Sequence, residues 1–159
     1  MKLGLALRQL HRSERALAVK FDALAARHHS DHVIRHVATD LAGWSRSHVD
    51  EIATVGRHYG LRLSWRPNLA ALSAPLQKRV SDLVGRRPEP ALLLLADLRR
   101  VHQAAVGVSV DWELLAQGAQ AAKDERLLTL AQRCHPETLR QMRWANAMVK
   151  ELAPQTLTS

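Results

Sequence analysis

The chain has 159 residues, nearly half of them apolar but only 4% aromatic, enough to bury a core as one domain, residues 1–159, without metals or disulfides. Ala, Leu and Val dominate the apolar share, which favours helices, because Ala and Leu are strong helix formers and the aromatics enriched in sheets are scarce. The net charge of +8 raises nucleic acid as a partner, but the basic residues are spread along the chain beside acids, with no block of five, and the lone Cys134 excludes an internal disulfide framework and suits a reducing compartment.

At the N-terminus the apolar run is too short for a signal peptide, since Arg8, His11 and Arg12 interrupt it. No stretch approaches the ~20 apolar residues of a membrane span, so the expected location is the cytoplasm. The first helical segment carries Leu3, Leu7, Leu10, Glu14, Leu17, Phe21 and Leu24 at spacings of four and three, one stripe of a helix. It ends near His28-His29-Ser30-Asp31, where Ser30 or Asp31 caps the next helix. That second segment repeats the pattern with Ile34, Val37, Leu41, Trp44, His48, Ile52, Val55 and Tyr59, and Gly60 supplies the stop. The tight turn makes the two segments antiparallel neighbours.

Residues 61–89 are too many for a hairpin and predict a crossover, with a short helix opened by Ser73-Ala74-Pro75 and closed at Gly85-Arg86-Arg87-Pro88. A third long helix follows from about Pro90 to Ala122, with Leu94, Leu98, Val101, Ala105, Val108, Trp112, Leu115 and Ala119 on its stripe. The fourth runs from about Asp124 to Leu152, with Leu127, Ala131, Cys134, Thr138, Gln141, Ala145 and Met148 in register. Pro136 is expected to kink or divide it, and Pro154 to end it, leaving 153–159 as a polar tail that docks on a partner or frays. The expected class is all-α.

Short, long and short connections between four such helices resemble the ferritin-like superfamily, an up-down-down-up four-helix bundle, over most of the chain. Members with a di-metal centre hold it with a Glu from each of two helices and a Glu-x-x-His from each of the other two. The resemblance to that ligand set is broken here. The first helix keeps Glu14; the second offers Ser45-Arg46-Ser47-His48, with the His in place and Ser45 where Glu is expected. The third gives Ala105, Val106 and Ser109 at that depth, with Glu113 nearer the turn, and the fourth gives Glu137-Thr138-Leu139-Arg140, with arginine in place of His.

A guanidinium stays protonated and only donates, so it repels a dication and can take over its charge-balancing role. The expectation is a buried polar cluster of Glu14, His48 and Arg140, with Glu14 stabilised by Arg140, His48 or both, and no cofactor. Two alternatives stay open at the same residues: Glu14 at the edge of its stripe reaching water with His48 an ordinary core histidine, and an iron or manganese site built from Glu14, His48, Glu113 and Glu137.

Elsewhere, His32, His36 and Asp40 share a helix face at i, i+4 spacing, as surface metal ligands or as a solvated face. Cys134 and His135 are adjacent, about 100° apart on a helix, and do not form a nucleophile–base pair. Trp112 and Trp144 are expected to fill core or interface space. The function implied by a ferritin-like bundle with a degenerate ligand set is a non-catalytic protein-binding or assembly module, self-association included. The alternatives are a non-standard di-metal oxidase or iron-handling protein, and a DNA-binding bundle.

Overall fold

The computed structural model describes residues 2–65 and 89–159. Among these the chain forms four α-helices and no strand: α1 (Lys2–Arg27), α2 (His32–Gly56), α3 (Pro90–Ala121) and α4 (Glu125–Thr158). No helix among the described residues is long and apolar enough to cross a membrane. The short helix expected in the crossover lies outside the described residues.

The helix ends follow from local chemistry. Asp31 caps α2, its side chain accepting from the Ile34 N–H at 3.0 Å. At the other end α2 tightens into a 3-10 turn over Arg57–Tyr59, and Gly60 adopts φ +70°, a left-handed conformation that glycine takes without a Cβ penalty. Asp124 caps α4 through the Leu127 N–H at 3.1 Å and also accepts from the Tyr59 hydroxyl at 2.6 Å, tying the end of α2 to the start of α4. Burial and this bond to Asp124 push the Tyr59 hydroxyl up to about 12.

Helix α4 is not divided at Pro136, and Pro154 does not end it as expected; the helix continues to Thr158, so 153–158 is helix rather than a tail. Each proline lies on the exposed face, as do Gln132 and Lys150 four residues earlier, so the carbonyl each leaves without its N–H partner can turn to water.

Helix α1 packs on α2 and α3, and α4 packs on α3 and α2. The core between them is aliphatic, with Leu7, Leu10, Leu17, Phe21, Ile52, Leu98, Leu115, Leu127 and Leu130 among its buried side chains. All the residues of the α1 stripe are buried except the half-buried Leu3, and Glu14 lies among them with no exposed surface. That placement sets the problem of the interior: a carboxylate has been taken wholly out of water.

Candidate functional site

Glu14 is positioned by the leucine periodicity of α1, which turns it inward between Leu10 and Leu17. Desolvating a carboxylate is costly unless hydrogen-bond donors replace water, and three side chains from the three other helices do so. His48 Nδ1 from α2 lies 2.8 Å from Glu14 Oε1. The Trp112 indole N–H from α3 donates to the same oxygen at 2.8 Å, and the Thr138 hydroxyl from α4 donates to it at 3.2 Å. Glu14 Oε2 is buried without a protein partner.

His48 is itself 1% exposed and bridges outward. Its Nε2 lies 2.8 Å from Glu137 Oε2, whose side chain is about a third exposed (36%). A ring flanked by carboxylate oxygens at both nitrogens donates from both, which makes it an imidazolium. Burial opposes the charged ring and is the largest single influence, but the hydrogen bonds and charges of Glu14 and then Glu137 together outweigh it and raise the His48 pKa above its ordinary value. Trp112 also meets the imidazole edge-on, with centroids 5.9 Å apart and an interplanar angle of 87°, a favoured aromatic geometry. The result is a carboxylate–imidazolium–carboxylate chain from the bundle interior to its surface.

A second polar pair abuts this layer. Gln141 Nε2 donates to the Leu41 carbonyl at 2.8 Å and to Ser45 Oγ at 2.9 Å, both fully buried side chains being satisfied through it, while Gln141 Oε1 has no partner. On the flank, Arg133 pairs with Glu51, and Cys134 Sγ lies 3.7 Å from Glu51 Oε2. Burial, with the neighbouring Glu51 charge, pushes the Cys134 thiol up to about 12, so the thiol is a packed neutral group and not a nucleophile. His135 turns the other way, its Nε2 2.8 Å from Ser109 Oγ; Cys134 and His135 do not engage one another.

Of the expected cluster, Glu14 and His48 meet and Arg140 does not join them. Arg140 is exposed, because it follows the inward Thr138 by two residues, about 200° around the helix. The cation beside Glu14 is the His48 imidazolium. Among the four residues of the alternative metal set, Glu14, His48 and Glu137 come together, whereas Glu113 is exposed, one position past the inward Trp112. Divalent ions need lone pairs from their ligands. Here both ring nitrogens of His48 face carboxylates, Trp112 presents only an N–H, and Ser45 is engaged with Gln141, so the arrangement does not fit a di-metal centre. Among the described residues no group of three or more His, Cys, Asp or Glu stands in metal-holding geometry, and this includes His32, His36 and Asp40, which are all exposed, with the two rings stacked 6.4 Å apart.

Two partners of Glu14 were hidden from sequence reasoning as stripe positions, Trp112 and Thr138. The available signal was that an inward indole N–H or hydroxyl requires an acceptor, and Glu14 is the acceptor on the facing stripe. A further cluster was missed near the first turn. Asp97, 7% exposed, accepts from Arg27 at 2.8 Å and Arg100 at 3.2 Å, and lies 2.9 Å from His28 Nε2. Of the histidines around that turn, His28 is thus a buried structural partner, while His29, His32 and His36 face solvent. In comparisons with known proteins, no family model, no curated protein and no solved structure matches the chain.

Proposed function

We propose that the protein is a ferritin-like bundle, in the up-down-down-up order, in which an internal ion chain stands where a di-metal centre would be, and that it works as a non-catalytic assembly module in the cytoplasm. The contact order supports the topology. Residues 14 and 22 of α1 meet 48 and 46 of α2, and 14 and 27 of α1 meet 112 and 97 of α3. Likewise 109 and 102 of α3 meet 135 and 142 of α4, and 48 and 41 of α2 meet 137 and 141 of α4. Each neighbouring pair is therefore antiparallel. The observation that carries the loss of metal chemistry is the double engagement of His48. Metal analysis of the untagged protein tests it: tightly held iron or manganese in stoichiometric amount would overturn it.

The assembly reading rests on the outer face of α3. A helix that covers a core on one side normally shows a polar face on the other, but α3 exposes Leu92, Val106, Val110 and Leu114. Val106 lies midway along this face; Arg99 is seven residues before it and Glu113 seven after, both exposed. Seven residues is close to two helical turns, so the three share one line. Two copies of α3 packed antiparallel about Val106 bring Arg99 of each against Glu113 of the other, an isologous two-fold contact. Beside Val106, the space around the Gly107 Cα is open, which admits a close approach. Light scattering at several concentrations is expected to show a dimer, Arg99→Glu to weaken it, and Arg99→Glu with Glu113→Arg to restore it. A monomer throughout would end this reading.

A further inference from the structure

Helices α3 and α4 run antiparallel, with His102 Nδ1 3.0 Å from the Met142 carbonyl and Ser109 Oγ 2.8 Å from His135 Nε2. Continued toward the start of α3, that register brings Arg99 level with Asn146 and Leu95 level with Val149, each within one turn. Between the two helices at this level lies a groove of about 280 Å³. Its two ends differ in chemistry. Arg99, His102 and Asn146 line one end, while Leu95, Ala96, Val149, Ala153 and Leu157 line the rest with hydrocarbon. A carbonyl only accepts, so His102 donates from Nδ1, which pins its ring at the polar end. The other grooves described on the surface each carry several charged side chains, among them Arg8 and Arg62, Lys20 and Asp97, and Asp50 and Glu51.

An apolar concavity with a few polar groups gathered at one end is the usual form of a small-molecule site. Here the polar end is also positive. Arg99 lies on α3, and the exposed Arg143 and Lys150 flank Asn146 on α4, three residues before it and four after. We propose that this groove binds a single-chain aliphatic carboxylate, with its head on the Arg99 guanidinium and the Asn146 amide and its tail along Leu95, Val149, Ala153 and Leu157.

Charge complementarity selects the head, because a guanidinium meets both oxygens of a carboxylate through parallel N–H donors. The lining selects the tail. From Asn146 to Leu157 the helix rises roughly 16 Å, and the apolar side chains form one narrow line along it. A partner helix, roughly 10 Å across with its side chains, would also have to cover the Arg143 and Lys150 charges beside that line. A second copy packed about Val106, as proposed above, sets Glu113 rather than hydrocarbon against Arg99 and leaves the tail end of the groove uncovered. Leu157, 68% exposed, is the apolar residue that such a tail would shield most.

Titration calorimetry on the full chain tests this with acetate, octanoate, decanoate and dodecanoate below their micelle concentrations, and with decanol. Saturable binding of decanoate is expected and none of acetate, each added methylene tightening the complex by up to about fourfold. Arg99→Ala should weaken decanoate by about tenfold or more and leave decanol unchanged. Leu157→Ser should remove the gain from octanoate to dodecanoate. Because both residues are exposed, these variants should keep the wild-type denaturation midpoint, which separates lost binding from lost fold. Glu113→Arg weakens the proposed dimer but lies outside the groove, so decanoate binding should survive it. The proposal is overturned by absence of saturable decanoate binding, by affinity that does not change with chain length, or by equal loss in Glu113→Arg, which would place the ligand in the dimer contact. Binding to anionic vesicles without binding to monomeric decanoate would overturn it too, since a membrane surface would then be the partner.

Discussion

His11 and His48 are both buried in neighbouring helices, three residues before and directly opposite Glu14, yet their surroundings drive them in opposite directions. His48 sits between two carboxylates and its pKa is raised. His11 has no partner at Nε2; burial, and then the nearby Arg15 charge, lower its pKa against a weaker pull from Asp50. Depth alone therefore decides little about a histidine in this bundle. What decides is whether the facing helix supplies negative charge to replace the lost hydration.

The comparison breaks most forcefully at His48. Replacing it by leucine strands the buried Glu14 carboxylate and is expected to cost about 3–5 kcal/mol of stability in chemical denaturation. Changing Glu14 to leucine as well should recover much of that loss, since the pair is then absent from both sides. A single variant as stable as wild type would mean that Glu14 does not depend on the imidazolium.

Removing the acid from a third buried histidine gives a smaller effect. Asp97→Ala leaves His28 Nε2 and Arg27 without their acceptor, and a loss of about 2 kcal/mol is expected from charged hydrogen bonds of this kind. A change within the scatter of ordinary surface variants would show that Arg27, His28 and Arg100 find other partners.

The pH dependence then separates the two histidines by sign. The folded pKa of His48 is raised, so its contribution is complete below about 6.5, the unfolded value, and is lost as pH rises through the folded pKa. The folded pKa of His11 is lowered, so the unfolded chain takes up the proton first, and stability declines as pH falls below about 6.5. Denaturation midpoints across pH should therefore lose their alkaline decline in His48→Gln and part of their acid decline in His11→Leu. At neutral pH, His11→Leu is expected to stay within about 1 kcal/mol of wild type, because it removes an unpartnered polar atom and supplies apolar surface. A large loss would show that His11 has a partner that its surroundings do not reveal.

Much of the architecture was legible beforehand. The apolar repeats located the four helices to within a few residues, and Asp31, Gly60 and Asp124 marked real ends because capping is a local, backbone-level demand. The same local logic failed at Pro154, where the missing N–H affects one carbonyl on the solvated face while the half-buried Leu152 beside it packs against the core. At the site, the inward turn of Glu14 and His48 and their pairing were readable from their stripes. Arg140 was assigned inward by analogy with the Glu-x-x-His spacing, whereas its neighbours Thr138 and Gln141 fill the inward face and leave it outside.

Sequence by itself determined the helical class, the helix ends set by caps, and the stripes that carry Glu14 and His48, because periodicity and capping act through neighbours along the chain; the full burial of Glu14 came from the structure. Only the tertiary structure decided which donors surround Glu14 and that His48 and not Arg140 carries the balancing charge. Those outcomes depend on distances between side chains on different helices, and rotation of a helix by one residue, about 100°, exchanges one partner for another.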